Sequence, residues 1–166
     1  MSSAEHLSGN ATLPRENVQS YPRPPALESV PQRVTITLGG VVIADTKHAL
    51  RVLETHHPPT YYLPPWDIEA KLVPVSGSSF CEWKGVARYF DVVGGSATAV
   101  RAAWSYDEPT GPFEPLVGYV AFYPEKMEEC RVGEHVAVAQ PGSFYGGWVT
   151  PNLDGVPKGA RGTEHW

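Results

Sequence analysis

Residues 33–45 spell RVTITLGGVVIAD and carry the strongest structural signal in the chain. Apolar and polar side chains alternate from Arg33 to Leu38, which is the period of a strand with one buried face. A second run rich in β-branched residues follows directly after Gly39 and Gly40. Two such runs separated by a Gly-Gly pair predict a β-hairpin. We therefore expect antiparallel β structure that starts at Arg33.

More strands are predicted downstream of this hairpin. The run from His48 to His57 fits a helix or a strand, but its short length and the Pro58-Pro59 pair after it favour a turn and a strand. Residues 60–63 lie between two proline pairs, which forces an extended backbone. The remaining runs with strand character are residues 71–75, 84–93, 97–106, 117–123 and 132–139.

The composition also favours a β-rich fold. The 166 residues include 16 glycines and 17 prolines, about a fifth of the chain. Proline breaks helices and glycine weakens them, so this content disfavours a helix bundle and fits short strands joined by turns. The length suits one domain, and a hydrophobic content of 42% is enough to build a core. We expect a mostly β, compact, antiparallel single domain.

Three segments are expected along the chain. Residues 1–30 are polar, contain several prolines and show no apolar periodicity, which predicts a disordered leader. Residues 31–140 hold the predicted strands. Residues 141–166 are glycine-rich and aromatic, and we expect this C-terminal extension to wrap around the domain because its large side chains would be costly to leave in water. Those side chains are Phe144, Tyr145, Trp148 and Trp166.

Charge and targeting signals narrow the classes of partner. The formal net charge is −5, so the chain lacks the basic surface that nucleic acids or anionic membranes require. No apolar run approaches a membrane span, and the polar N-terminus does not resemble a signal peptide. We expect a cytoplasmic protein. Cys81 and Cys130 form no CxxC pair, so a thiolate zinc site is not expected.

Lys84 is the first candidate for a chemical role. It lies between Trp83 and Gly85 at the start of a predicted strand, where the backbone can approach a ligand. A partly desolvated lysine can serve as acid, base or anion clamp. The alternative is a solvated lysine at a strand edge. Cys81 is a nucleophile if a cation activates its thiol, or else a small buried residue.

Glu54 is the matching acidic candidate. A carboxylate that points inward from a strand could pair with Lys84 or Arg33, or act as a general base. A plain surface glutamate fits equally well. The neighbouring His56 and His57 are adjacent, so on a strand they face opposite sides and cannot chelate one metal together.

Two further patterns point to ligand binding. Four aromatic residues each lie beside a turn or a proline, which favours pocket walls, although most aromatic side chains in a small β domain belong to the core. They are Tyr62, Trp104, Tyr106 and Tyr123. The segment KGARGT at residues 158–163 carries two cations and two glycines. This is a weak signal for an anion site, because it lacks the residue order of a phosphate-binding loop.

Six blocks follow one another in the order of a known family. They are Arg33 to Thr46, Ala49 to Glu54, Tyr61 to Pro64, Cys81 to Tyr89, Ala103 to Pro109, and Gly118 to Tyr123. Over roughly residues 33–125 the chain thereby resembles the family catalogued as domain of unknown function 427. It departs from the family pattern at Glu82, where proline is common, and at Leu63, where phenylalanine is usual.

The resemblance implies a β-tent (Mss4-like) fold of mostly antiparallel strands. Relatives of that fold often hold zinc through CxxC pairs, and since this chain has none we expect no metal. The family also carries a nucleotidyltransferase label. Nucleotidyl transfer normally needs two or three carboxylates around magnesium and a phosphate-cradling loop. Asp45 and Glu54 alone do not meet that requirement.

We therefore expect a small, cofactor-independent enzyme that performs acid/base chemistry on a small organic metabolite in an aromatic-lined pocket. The reaction would be an isomerisation, cyclisation, dehydration or hydrolysis. Lys84 and Glu54 would exchange protons, Tyr62 and Tyr106 would donate hydrogen bonds, and the binding residues would be Arg33 for an anionic group, Trp104, Tyr123 and Cys81. A non-catalytic module that binds a small molecule or a peptide is the alternative, and a nucleotidyltransferase is the third hypothesis. A homodimer is left open.

Overall fold

The computed structural model describes residues 13–81, 83–142 and 145–163. In these ranges the strands are β1 (Glu16–Asn17), β2 (Ala26–Ser29), β3 (Val34–Leu38), β4 (Val41–Thr46), β5 (Leu50–Leu53), β6 (Thr60–Leu63), β7 (Lys71–Cys81), β8 (Gly85–Gly94), β9 (Ala97–Tyr106), β10 (Val120–Phe122), β11 (Glu129–Val132), β12 (His135–Ala139), β13 (Trp148–Val149) and β14 (Leu153–Asp154). Short 3-10 helices span Val18–Ser20, Pro65–Asp67, Gly111–Leu116 and Pro124–Lys126.

The hairpin predicted from residues 33–45 is present. Strands β3 and β4 pair antiparallel, with a register shift between Ile36 and Thr37. Gly39 and Gly40 make the turn with φ of 64° and 82°. A Cβ on Gly39 would lie 2.1 Å from the backbone oxygen of Gly94. This turn can therefore pack against the β8–β9 turn only because Gly39 has no side chain.

The strands form two large antiparallel sheets, which confirms the prediction of a mostly β, antiparallel fold. The seven-stranded sheet has the order β2-β5-β6-β10-β9-β8-β7, and the five-stranded sheet has the order β13-β12-β11-β3-β4. A third, two-stranded sheet pairs β1 with β14 in parallel. No helix in the part of the chain that the structure describes is long and apolar enough to cross a membrane.

The main core contains side chains from both large sheets. Ile36 and Ile43 come from the five-stranded sheet, and Leu63, Val92 and Phe122 come from the seven-stranded sheet; all are fully buried. This core covers one face of the seven-stranded sheet. The other face is therefore available for a second group of side chains.

A second apolar cluster lies on that other face. Successive side chains of a strand point to opposite faces, so Tyr61 packs in the main core while Tyr62 joins the second cluster. Trp104 and Tyr106 of β9 belong to the same cluster. The alternation along β6 and β9 thus brings these aromatic rings together on one side of the sheet.

The structure differs from the expected disordered leader over residues 13–30. Strand β2 pairs with β5 along its whole length, and Val18 and Tyr21 are buried. The guanidinium of Arg51 holds this segment by hydrogen bonds to the carboxylates of Glu16 and Glu28. Local composition does not reveal such partners, because they lie far along the chain. Residues 1–12 of the expected leader fall outside the described residues.

Several strand boundaries also differ from the prediction. The expected strand 117–123 is reduced to β10, because the backbone before it forms the 3-10 helix Gly111–Leu116 and a turn. Strand β7 continues to Cys81 across a register shift between Val75 and Ser78. The late strand is β12, and β11, which the sequence did not suggest, precedes it.

The C-terminal residues 145–163 pack against both sheets. Strand β13 extends the five-stranded sheet beside β12. The fully buried Trp148 donates its indole N–H to the backbone oxygen of Phe122 over 3.2 Å. The expected contributions of Phe144 and Trp166 lie outside the described residues.

Candidate functional site

A cavity of about 440 Å³ opens on the face of the seven-stranded sheet that carries the second apolar cluster. The sheet supplies its floor, the β7–β8 turn one wall, and the segment after β12 another. Its lining residues are Val52, Glu54, His57, Pro58, Thr60, Tyr62, Ser79, Phe80, Cys81, Trp83, Lys84, Tyr89, Trp104, Tyr106, Tyr123, Gln140, Tyr145, Gly146 and Lys158. This mixture of rings and a few polar groups is typical of small-molecule sites.

Lys84 and Glu54 line the same cavity. Lys84 lies in the turn between β7 and β8, where its backbone N–H donates to the Cys81 oxygen over 3.2 Å. Its ammonium lies 5.9 Å from the ring centre of Tyr106 and 5.8 Å from that of Phe113. The side chain is only 9% exposed, so its charge is partly desolvated against aromatic faces.

Glu54 reaches the cavity from the loop directly after β5. Across residues 13–81, 83–142 and 145–163, neither Lys84 nor Glu54 forms an ion pair. The two charged groups therefore face a common space without neutralising each other directly. A ligand that enters this space can contact both.

Four tyrosine and tryptophan side chains form the aromatic wall. The ring of Trp104 lies edge-on to Tyr62 at 6.4 Å and 4.5 Å from the ring of Tyr123. Burial is the main cause that raises the pKa of the Tyr62, Tyr106 and Tyr123 hydroxyls above the ordinary value. These hydroxyls therefore keep their protons at neutral pH and can donate hydrogen bonds. Cys81 also lines this wall and is half-buried.

Arg33 does not lie at this cavity, and its expected role as the anchor of an anionic group does not fit the structure. Its exposed guanidinium makes two hydrogen bonds to the carboxylate of Asp45, at 2.7 and 2.5 Å. The hydrogen bond from Arg33 is the first cause that lowers the pKa of Asp45. The misassignment has a physical reason: Arg33 precedes β3, which belongs to the five-stranded sheet on the other side of the core.

His57 is a lining residue to which the sequence assigned no role in the site. The Gln140 side chain determines which of its ring nitrogens carries the hydrogen. Gln140 Oε1 accepts from the Gly147 N–H at 3.2 Å, and Nε2 donates to the Lys158 oxygen at 2.8 Å. These two partners fix the orientation of the amide, so the same Nε2 donates to His57 Nδ1 at 3.1 Å. His57 Nδ1 is then an acceptor, and the ring hydrogen is on Nε2.

Burial also keeps the His57 ring neutral. Burial first, and then the nearby charge of Lys158, lowers the pKa of His57 to about 4. Lys84 acts in the same direction, and the Gln140 N–H at Nδ1 also disfavours a second proton on the ring. At neutral pH the imidazole is therefore an uncharged group with one acidic N–H to offer.

The C-terminal extension supplies one wall of the cavity through Tyr145, Gly146 and Lys158. A Cβ on Gly146 would lie 2.1 Å from Cη2 of Trp104, so the absence of a side chain lets the backbone lie directly on the indole. The Lys158 ammonium lies 5.5 Å from the ring centre of Tyr145. The sequence signal that pointed to Lys158 was the pair of cations in residues 158–163.

The balance of charge in the cavity is opposite to that of the whole protein. The chain has a net charge of −5. Among the described lining residues, Lys84 and Lys158 are cationic and Glu54 is the one carboxylate. No group of three or more His, Cys, Asp or Glu side chains within the described ranges is arranged to hold a metal ion. The described lining of the cavity therefore carries a small excess of positive charge.

The sequence profile of one family matches residues 26–133, and that family is described as a domain of unknown function, DUF427. No curated protein matches the chain. The matched region contains Glu54 and Lys84, whereas Gln140, Tyr145 and Lys158 follow it. Because the match covers more than half of the sequence, the protein belongs to the DUF427 family.

Proposed function

We propose that this protein is a small enzyme that performs acid/base chemistry on a small organic molecule without a cofactor. The observation that carries the proposal is that Lys84 and Glu54 line one aromatic-walled cavity without an ion pair between them among the described residues. Proton transfer needs an acid and a base within reach of the same substrate. The reactions that fit are isomerisation, cyclisation, dehydration and hydrolysis.

Each polar group of the cavity has a role in this proposal. Glu54 removes a proton from the substrate. The ammonium of Lys84, which lies near aromatic faces, stabilises the negative charge that develops and can return a proton. The Nε2–H of neutral His57 donates a further hydrogen bond to that charge. The Tyr62 and Tyr106 hydroxyls remain protonated donors and orient the substrate.

The test uses a reaction common to this whole class of enzymes. The full-length protein is incubated in D₂O with a panel of small cyclic and aromatic carbonyl compounds, and ¹H NMR follows both conversion and loss of exchangeable C–H signals. We expect exchange or conversion of at least one compound. Removal of a general acid or base costs roughly 100-fold or more in rate, so Glu54→Gln and Lys84→Met should each abolish most of it.

Lys47→Met is the matched control, because Lys47 is exposed and does not line the cavity. It should leave the rate unchanged. Turnover that is the same in Lys84→Met as in the wild type would refute the proposed role of Lys84. Exchange that no variant of the cavity slows would refute the enzyme hypothesis.

The second candidate is a non-catalytic module that binds a small molecule in the same cavity. The observation that favours it is the lining of the cavity, in which aromatic rings and a few polar side chains are sufficient to bind a small molecule without any reaction. A binding module would retain its ligand unchanged through purification. Denaturation of the purified protein would then release that ligand intact, and mass spectrometry would detect it. Nucleotidyl transfer has less support, because Glu54 is the one carboxylate among the described lining residues.

A further inference from the structure

We propose that the ligand of this cavity is a ring-bearing carboxylic acid, and that the C-terminal extension, which lies outside the matched family region, binds its carboxylate through Lys158. The inference rests on the proposed function only in that both concern the same cavity. It adds the chemical class of the ligand. It also assigns a binding role to residues that follow the match at residue 133.

The charges of the lining residues point to one negative charge on the ligand. Among the described lining residues, Lys84 and Lys158 contribute two positive charges, Glu54 contributes one negative charge, and His57 is neutral. Neither lysine forms an ion pair with a described residue. The described lining therefore has an excess of one positive charge, which a single carboxylate balances and a phosphate dianion exceeds.

The hydrogen-bond donors on this side of the cavity also favour an acceptor-only group. Gln140 occupies Nδ1 of His57 at 3.1 Å, so the ring nitrogen left for a ligand is Nε2, which carries the hydrogen. A carboxylate accepts hydrogen bonds and donates none. Lys158 also offers only donors. The two groups together exclude a ligand that presents N–H groups at this position.

The remaining walls fit the ring of such an acid. Tyr62, Trp104 and Tyr106 form an aromatic surface, and planar rings pack on it by offset or edge contacts. A volume of about 440 Å³ is within the range of small-molecule sites.

The extension is an integral part of this cavity. Gly146 lies against Trp104 without room for a Cβ, and a Cβ on Gly147 would lie 2.6 Å from Gln140 Oε1. The backbone N–H of Lys158 donates to the His56 oxygen at 2.5 Å. These contacts hold Lys158 beside His57 at the cavity.

The test compares matched probes that differ only in charge. Benzoate and phenylacetate are titrated against the full-length protein with NMR detection at millimolar concentration, beside benzamide, phenylacetamide and phenyl phosphate. We expect both carboxylates to bind at least about tenfold more tightly than their amides, since a tenfold difference corresponds to one strong charged contact. Equal binding of acid and amide, no binding of either acid, or tighter binding of phenyl phosphate would each overturn the proposal.

Substitutions of Lys158 test whether the C-terminal extension is responsible for carboxylate binding. Lys158→Met should weaken benzoate binding by about tenfold. Lys158→Arg keeps the positive charge and should bind benzoate as the wild type does, and Lys47→Met should leave the affinity unchanged. Wild-type affinity in Lys158→Met would overturn the role of Lys158. Glu54→Gln separates this proposal from the enzymatic one, because it removes a negative charge and should bind benzoate at least as tightly while it loses proton transfer. Carboxylate binding without any proton transfer would leave the ligand class in place and refute only the enzyme.

Discussion

The Nε2 of Gln140 lies 3.1 Å from Nδ1 of His57, across 83 positions of sequence. Gln140 is itself held by the Gly147 N–H and the Lys158 oxygen and is almost completely buried. One glutamine side chain therefore joins the turn after β5 to the C-terminal extension. It also fixes which nitrogen of His57 carries the hydrogen, and with it the donor that the cavity offers to a ligand.

Replacement of this amide by a carboxylate should reverse the tautomer. In Gln140→Glu, the new carboxylate can only accept, so His57 should carry its hydrogen on Nδ1 and its pKa should rise above the value of about 4. Long-range ¹H–¹⁵N NMR reports both the tautomer and the titration. A His57→Asn sample assigns the signal. An unchanged tautomer and pKa in Gln140→Glu would contradict the assigned hydrogen bond.

The stability of the fold should depend on pH through His57. Its pKa is lowered from 6.5 to about 4 in the folded chain, so between these values the unfolded chain binds a proton that the folded chain does not. The contribution of His57 to the free energy of unfolding is therefore fully present above pH 6.5. It falls as the pH drops, by up to about 3 kcal/mol near pH 4. Urea unfolding across this range measures the slope. Carboxylates also titrate there, so the prediction concerns the difference from His57→Asn, whose slope should be smaller.

Gly146→Ala should destabilise the protein by a steric effect. The added Cβ would lie 2.1 Å from Trp104 Cη2, and overpacking of this kind costs about 1–3 kcal/mol. Urea unfolding followed by tryptophan fluorescence measures the loss. Trp104→Phe removes the indole atoms that the Cβ would meet, so the double variant should be more stable than the sum of the two single changes predicts. Additive losses would show that Gly146 does not press on Trp104.

Arg51 and Arg33 should differ greatly in their contribution to stability. The side chains of Arg51 and Glu16 are only 10% and 15% exposed, so Arg51→Met leaves a buried carboxylate unpaired and should cost about 3 kcal/mol. Arg33 and Asp45 are 47% and 44% exposed, and Arg33→Met should cost less than about 1 kcal/mol. Urea unfolding of both variants is the measurement. Similar losses in the two variants would contradict the anchoring role of Arg51.

Much of the fold could be predicted from short-range patterns. The alternation in residues 33–38 and the turn at Gly39 and Gly40 specify a hairpin, because strand period and turn conformation are local properties. Alternation along β6 likewise places Tyr61 and Tyr62 on opposite faces of the seven-stranded sheet. Residues 13–30 were misjudged because the partners that order them, above all Arg51, are distant in sequence.

Strand content can be predicted from the residues alone, and so can the presence of Lys84, Glu54 and a set of rings suited to a cavity. The folded arrangement was needed to show that Arg33 lies on the other side of the core and that His57 and Lys158 also line the cavity. The reason is that the strand order of each sheet, and the path of the chain after residue 140, place residues together at separations that no local period encodes. The sequence specifies the chemistry of each side chain, but the strand order of the sheets determines which side chains meet at one cavity.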